Sequence, residues 1–173
     1  GVPSYPPPEA MRAHIAERAV LFETAQYTAI EGIPELREAL AAHTATRYGG
    51  YVAAENILIS AGCNQAFCLA IQALARAGDS VLLPEPFYFN HQMWLEIQGI
   101  TAVHMPFRDD RAGVPDPEQA AALITDSTRA IVLVSPGNPT GAVYPPSVIT
   151  QFRDLAAQRG IALVLDETYR DFL

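Results

Sequence analysis

Apolar positions along the chain follow two different periods. Short, largely apolar runs of the kind that form buried strands occupy residues 57–60, 80–83, 100–105, 130–134 and 161–165. Between them, apolar side chains recur every three or four residues, as on one face of a helix. Short apolar strands that alternate with amphipathic helices are typical of an α/β sheet. The pattern therefore predicts an α/β fold in which helices cover both faces of one sheet.

The helical pattern marks several stretches of the chain. They run from Glu9 through Leu21 and over residues 34–48, 64–77, 88–98, 117–124 and 145–159. A proline opens the second stretch, where a first helical turn tolerates it, and glycines follow the second, fourth and sixth. The third stretch is predicted to turn its apolar side chains inward, namely Phe67, Leu69, Ile71 and Leu74.

Composition narrows the classes of function. Of the 173 residues, 17% are charged, against about 25% in an average soluble domain. This low fraction predicts extra burial, against another chain or a further part of the same protein. A net charge of −8 argues against duplex nucleic acid as a partner. No apolar run approaches the roughly 20 residues that span a bilayer, and no signal-peptide pattern is visible. A cytoplasmic protein with no membrane partner is therefore expected.

The absence of lysine is the sharpest compositional feature. All 11 basic residues are arginine. Within this chain, that excludes a Walker-type phosphate lysine, a Schiff-base lysine and a lysine base. The two cysteines, Cys63 and Cys68, are too few for a disulfide framework and are expected to be thiols in a reducing compartment. No pair of histidines has the spacing of metal ligands, so no metal site is expected.

Loops that follow strands are the places to look for chemistry, since ligands bind at the carboxyl ends of the strands in such sheets. Cys63 and Asn64 open a helix directly after a strand, which makes either an anion site or an ordinary capped helix. Tyr88 opens another helix, where its ring can stack on a flat ligand or join the core. His91, one turn later, can border the same pocket.

Two further loops present polar groups at strand ends. Asn138 lies in Ser-Pro-Gly-Asn-Pro-Thr-Gly, a turn made rigid by its prolines, and a fixed amide there suggests ligand contact. A cis peptide bond in this turn is left open. Asp166 ends an apolar run, so its buried carboxylate needs a cation or hydrogen-bond donors. It either caps an element that begins near Thr168 or holds a protonated ring nitrogen, with Tyr169 facing the same ligand.

Taken together, these loops resemble one family: the class I/II aminotransferases of pyridoxal-phosphate (PLP) fold type I, the aspartate aminotransferase superfamily. The Asn-Pro-Thr-Gly turn followed by Asp-Glu-x-Tyr carries most of the resemblance. The matching pieces run in family order over residues 27–32, 36–37, 62–66, 78–79, 86–88, 135–141 and 166–169. The resemblance implies a three-layer α/β/α sandwich with a mostly parallel sheet, which is the PLP-binding large domain, incomplete.

The resemblance also implies cofactor contacts, residue by residue. Cys63 and Asn64 would bind the PLP phosphate, chiefly through main-chain N–H groups. Tyr88 resembles the aromatic residue that stacks on the pyridine ring. Tyr27 is similar to the tyrosine that reaches the phosphate of a neighbouring subunit, which implies a homodimer. Cys63 is an uncommon residue for a phosphate loop, although main-chain binding tolerates it.

The remaining implied contacts concern the ring and the substrate. Asn138 and Tyr169 resemble the pair that hydrogen-bonds the phenolic oxygen of PLP. Asp166 resembles the catalytic carboxylate that pairs with the pyridinium nitrogen, with Tyr169 as its catalytic neighbour. Gly1, on the strength of Gly-Val-Pro alone, resembles the glycine beside the substrate carboxylate, and Asn138 would also contact substrate.

The family's Schiff-base lysine and substrate-binding arginine lie beyond the matched motifs, and neither is present here. We therefore expect a segment of a longer enzyme, inactive by itself, with residues 1–22 leading into a large domain at 23–173 that stops before the lysine. The implied function is a biosynthetic aminotransferase acting on an amino acid and a 2-oxo acid. A C–S lyase or cyclopropane-type synthase of the same fold, or a non-catalytic PLP-binding or dimerisation protein, are the alternatives.

Overall fold

The computed structural model describes residues 4–172. The first compact unit ends at Ile59 and the second begins at Ser60. The first contains α1 (Glu9–Ala19) and α2 (Pro34–Tyr48). The second contains, in chain order, α3 (Cys63–Leu74), β1 (Ser80–Pro84), α4 (Phe89–Ile97), β2 (Thr101–Met105), α5 (Pro117–Leu123), β3 (Thr128–Val134), α6 (Pro146–Arg159) and β4 (Ala162–Asp166).

The second unit is built on a sheet with the strand order β2-β1-β3-β4. Every neighbouring pair in it is parallel. The chain moves outward from β1 to β2, then crosses back so that β3 lies on the other side of β1. In sheets of this kind, a crevice forms at the carboxyl ends of the strands where the order reverses. That point lies between β1 and β3.

One face of the sheet is covered by α3 and α4. Phe67 and Ile71 of α3 and Leu95 of α4 pack on sheet residues that include Val81 and Val132. Phe67 and Ile71 lie four residues apart and so share a helix face. The predicted inward positions Leu69 and Leu74 are wrong, because they are 41% and 38% exposed. Leu69 is two positions from both buried residues, which places it on the opposite side of α3.

The other face of the sheet is covered by α5 and α6. Val148 and Phe152 of α6 and Ala120 of α5 pack with Leu82 and Ile131. Because neighbouring residues of a strand point to opposite faces, the uninterrupted apolar runs of the sequence supply both cores. The second unit therefore has three layers, helices–sheet–helices. This confirms the α/β fold with helices on both sides of a parallel sheet.

The first unit is held together differently. None of the residues of α1 is buried, and Ala41 is the buried residue of α2. Arg37 of α2 donates hydrogen bonds from Nε and Nη2 to the carbonyl oxygen of Ala54, at 3.1 and 2.8 Å, and from Nε to that of Ile57 at 3.0 Å. A side chain of α2 therefore fastens the segment that precedes the second unit.

The predicted strand at residues 57–60 is wrong. This segment is extended but belongs to no sheet. Ile59 donates one backbone hydrogen bond, to Glu31, and the carbonyl of Ile57 is bonded by Arg37 instead of by a strand. A strand needs a ladder of hydrogen bonds to a neighbouring strand, which an apolar run alone cannot guarantee.

In the described part of the chain, no helix has the length and apolarity that crossing a bilayer requires.

Candidate functional site

A pocket of about 130 Å³ opens at the carboxyl ends of the strands of the second unit. Its walls come from the start of α3 and from the segments that follow β1, β3 and β4. The lining residues are Cys63, Asn64, Tyr88, Val134, Asn138, Asp166, Thr168 and Tyr169. Six of the eight residues predicted for the site are therefore brought together.

The start of α3 forms one wall of the pocket. Gly62 precedes the helix with φ +87°, a conformation that favours glycine, and no side chain caps the helix. The first N–H groups of a helix have no partner within it. The N–H groups of Cys63 and Asn64 are therefore available at the positive end of the helix dipole. Such a helix start suits a phosphate group.

Asp166 lies at the end of β4, directly beside Val134 of β3. Its side chain is only 9% exposed, and its Oδ2 lies 3.2 Å from Nε2 of His91. Its Oδ1 accepts hydrogen bonds from the backbone N–H of Thr168 at 3.0 Å and from the Thr168 hydroxyl at 2.7 Å. Burial raises the pKa of this carboxyl, but the hydrogen bonds from His91 and Thr168 outweigh burial and bring the pKa to about 2. Asp166 is therefore ionised at neutral pH.

His91 is the contact that the sequence signalled least clearly. It is 2% exposed, lies on α4, and stacks on Phe67 with ring centroids 4.1 Å apart. A carboxylate can only accept, so the Nε2 that faces Asp166 carries a proton. The opposite ring nitrogen, Nδ1, is buried without a hydrogen-bond partner among the described residues. The spacing from Tyr88 suggested a place near the pocket, but the partner on β4 depends on the three-dimensional fold.

Tyr88 immediately precedes α4 and is half-buried. Its ring meets that of His91 edge to face, with centroids 5.4 Å apart and an angle of 87° between the planes. Its hydroxyl accepts a hydrogen bond of 2.8 Å from the Asn90 amide. These contacts fix the ring at the pocket wall, and an aromatic ring at such a wall can stack on a flat ligand.

The turn after β3 presents Asn138. Two backbone hydrogen bonds close it, from Gly137 to Ala142 and from Gly141 to Gly137, both 2.8 Å long. The peptide bonds Ser135–Pro136 and Asn138–Pro139 are cis, as is Glu85–Pro86 before Tyr88. The Asn138 Nδ2 lies 3.5 Å from the Tyr169 hydroxyl oxygen. The amide and the hydroxyl therefore converge on the same region of the pocket.

The other two predicted site residues are Tyr27 and Gly1. Tyr27 lies in the first unit with a fully exposed side chain. Gly1 lies outside the described residues. Thr168, by contrast, lines the pocket, although the sequence marked it only as the start of an element that Asp166 caps. Its hydroxyl also lies 3.0 Å from the sulfur of Cys63.

The pocket residues fit a phosphorylated hydroxypyridine. Free N–H groups at a helix start suit the phosphate, and the Tyr88 ring suits an aromatic face. The ionised Asp166 suits a protonated ring nitrogen. The pair Asn138 and Tyr169 offers donors for a phenolic oxygen. This set of groups matches the chemistry of PLP.

Comparison with known proteins gives the same assignment. The model of the family "Aminotransferase class I and II" matches residues 1–173. The aspartate/prephenate aminotransferase of Thermus thermophilus is 35% identical over the whole chain, and the aspartate aminotransferase of Pyrococcus horikoshii is 32% identical. The match covers 45% of the first relative and 44% of the second, so the chain spans somewhat under half the length of either.

Solved structures agree with the sequence relatives. The aspartate aminotransferase of Thermus thermophilus with maleate superposes with a TM-score of 0.90 at 35% identity, covering 96% of this chain and 44% of that one. The N-succinyldiaminopimelate aminotransferase of Mycobacterium tuberculosis superposes with a TM-score of 0.88 at 30% identity, covering 98% and 44%. The chain belongs to the class I and II aminotransferases, a family of PLP-dependent enzymes.

Proposed function

We propose that the protein to which this chain belongs transfers an amino group between an amino acid and a 2-oxo acid, with PLP as cofactor. The observation that carries the proposal is the position and charge of Asp166. Its carboxylate ends β4 at the floor of a pocket whose other walls offer a helix start and an aromatic ring. A buried carboxylate kept ionised is suited to hold a ring nitrogen in its protonated form.

Each pocket residue has a defined task under this proposal. The N–H groups of Cys63 and Asn64 bind the phosphate, and Tyr88 stacks on the ring. Asn138 and Tyr169 orient the phenolic oxygen, and Asn138 also reaches the substrate side. PLP, when bound, supplies an electron sink for the bond that breaks at the amino acid's α-carbon.

Two groups that the family uses are not in this chain. With no lysine among 173 residues, the amine that carries PLP must come from another part of the protein. The same holds for the arginine that binds the substrate carboxylate in the family. We propose that residues 23–173 form the cofactor-binding large domain and that residues 1–22 lead into it. The chain as given is then inactive by itself.

We propose further that the enzyme is a cytoplasmic homodimer with a biosynthetic role, in which Tyr27 reaches the phosphate bound by the partner. The fully exposed ring of Tyr27 supports this. So do the exposed apolar side chains of the first unit, such as Phe22 and Ile30. Exposed apolar patches mark interaction sites. Gly1 is assigned by resemblance alone to the substrate carboxylate.

The decisive experiment uses the full-length protein with PLP. Incubation with single amino acids and 2-oxo acids should produce the new amino acid and the new oxo acid in equal amounts. Asp166→Asn should lower kcat/KM by a hundredfold or more, on the order seen when one preorganised electrostatic partner is removed. Asp154→Asn, an exposed carboxylate on α6, is the matched control and should leave the rate unchanged.

Other outcomes would assign the protein elsewhere in the family. Release of ammonia and a thiol from a sulfur-containing amino acid indicates a C–S lyase, and ring closure indicates a cyclopropane-type synthase. PLP binding without turnover of any amino acid indicates a non-catalytic protein. Each of these results contradicts amino-group transfer while leaving the PLP site intact.

A further inference from the structure

The Thr168 hydroxyl joins two walls of the pocket. It lies 2.7 Å from Oδ1 of Asp166 and 3.0 Å from Sγ of Cys63. Cys63 is the first residue of α3, whereas Asp166 is the last residue of β4. The Sγ atom itself lies 3.5 Å from the same carboxylate oxygen. A single hydroxyl therefore lies between the phosphate-binding wall and the ring-binding carboxylate.

The Thr168 hydroxyl donates its hydrogen bond to the Asp166 carboxylate. A hydroxyl has one proton, and a short contact with an ionised acceptor is the stronger of its two options. The Sγ atom of Cys63 lies 3.0 Å from the same hydroxyl and donates its own proton to Oδ1 of Asp166 at 3.5 Å. Burial raises the pKa of the Cys63 thiol and outweighs the contact with Thr168, which lowers it. The nearby charge of Asp166 raises the pKa further, so the thiol keeps its proton. Thr168 and Cys63 thus both donate to Oδ1 of Asp166, which accepts.

The two oxygens of Asp166 are consequently unequal. Oδ1 accepts short hydrogen bonds from the backbone N–H and the hydroxyl of Thr168 and a longer one from the Cys63 thiol, so both of its lone pairs are used. Oδ2 accepts from Nε2 of His91 and has one lone pair left among the described contacts. His91 and Thr168 hold the carboxylate from opposite sides, so it cannot rotate to exchange its oxygens without breaking these bonds.

We propose that Thr168 is a positioning residue for the cofactor: its hydroxyl fixes Oδ1 of Asp166 so that Oδ2 is the oxygen presented to the ring nitrogen of PLP. This inference rests on the proposed PLP site, and the positioning acts through Asp166. A purely structural alternative is a turn stabilised by the Thr168 backbone N–H. That bond needs no hydroxyl, so the side chain separates the two explanations.

The test compares Thr168→Val, which keeps the shape and removes the hydroxyl, with Thr168→Ser, which keeps the hydroxyl. The full-length apoprotein is titrated with PLP and with its deaza analogue, in which a C–H group replaces the ring nitrogen. The wild type should prefer PLP. In T168V this preference should fall about tenfold, as expected when a hydrogen bond to a charged group is lost. In T168S the preference should be retained.

A structural role gives a different result. If the hydroxyl only supports the turn, T168V lowers the affinity for both ligands by the same factor, and the preference for PLP is unchanged. That outcome overturns the inference. Equal behaviour of wild type, T168V and T168S overturns it as well. If T168V does not fold, Thr168→Ala replaces it in the same titrations, with T168S again as the matched control.

A second readout needs no cofactor. The pKa of the Asp166 carboxyl, followed by carbon NMR in the apoprotein, should rise in T168V and return towards the wild-type value in T168S. An unchanged carboxyl pKa contradicts the inference. Failure of the proposed function is recognised separately: wild-type protein that binds PLP but transfers no amino group refutes transamination, while the preference for PLP over the deaza analogue still tests Thr168.

Discussion

Asp166 makes the stability of the protein depend on acidity. Its pKa is about 2 in the folded protein and about 3.9 in an unfolded chain. The ionised carboxylate is therefore worth about 1–2 kcal/mol to folding, allowing for partial solvent screening. Because the folded pKa is the lower one, this contribution is complete above about pH 5 and is lost as the pH falls towards 2.

Urea unfolding of the wild type and of Asp166→Asn should display this dependence. The difference in unfolding free energy between the two proteins should be constant from neutral pH down to about pH 5. It should shrink in more acidic buffer. A difference that stays constant throughout the acid range contradicts the assignment of the charge to Asp166.

His91 supplies the other hydrogen bond to that carboxylate. Replacing it by phenylalanine keeps a ring against Phe67 but removes the donor at Nε2. We expect the pKa of Asp166 to rise in His91→Phe, and PLP to bind about tenfold more weakly. Carbon NMR and cofactor titration measure these effects. His14→Phe, on the exposed helix α1, is the control and should change neither.

Sequence alone identified the residues that point into the pocket better than the residues that hold them. Asp166 and Asn138 were predictable because each lies at or just beyond the end of an apolar run, and parallel strands end at one edge. The partners of Asp166 were not. His91 reaches Asp166 from a helix that follows a different strand, and the Thr168 hydroxyl meets a thiol far away in the sequence. Such contacts depend on strand order, which periodicity does not contain.

At the level of elements, the apolar runs that became strands differ from the run that did not. The runs in β1 and β3 have neighbours on both sides in the sheet. The run at 57–60 has the same apolar character, but its carbonyl at Ile57 is bonded by Arg37. A pattern indicates that a segment can be a strand, whereas pairing decides whether it is one.

Substitution of Gly32 tests how tightly the first unit is packed around this residue. A Cβ atom there would lie 2.5 Å from Cγ1 and 2.8 Å from Cβ of Ile59, and the backbone has φ +103°. Gly32→Ala should therefore lower the free energy of unfolding by about 2–3 kcal/mol. Gly49→Ala is the control, since φ is +74° there and no atom lies within 4 Å of the added carbon.

The control should cost only about 1 kcal/mol, which is the strain of the left-handed backbone. Urea unfolding measures both variants, and hydrogen exchange locates the effect. We expect faster exchange at residues near Ile59 in Gly32→Ala alone. Equal losses of stability in the two variants would show that backbone strain, and not the contact with Ile59, decides the cost.

For the whole molecule, the exposed apolar side chains of the first unit are expected to determine whether the protein is a monomer or a dimer. Val20, Phe22 and Ile30 are 82%, 76% and 92% exposed. Phe22→Asp in the full-length protein should shift the monomer–dimer equilibrium towards monomer by tenfold or more, as expected when an apolar interface residue is replaced by a charge. Sedimentation equilibrium measures the shift, with Glu23→Gln as the neighbouring control. A wild type that sediments as a monomer contradicts the proposed homodimer.

The two cysteines of α3 can be used to measure whether a ligand occupies the pocket. Cys63 lines the pocket at the start of α3, while Cys68 lies further along the same helix and is not among the lining residues. A ligand seated at the helix start would shield the first sulfur from an alkylating reagent and leave the second as an internal standard. The ratio of labelling at the two sulfurs, read by mass spectrometry of one peptide, would therefore measure occupancy of the pocket in a crude extract, before any substrate is known.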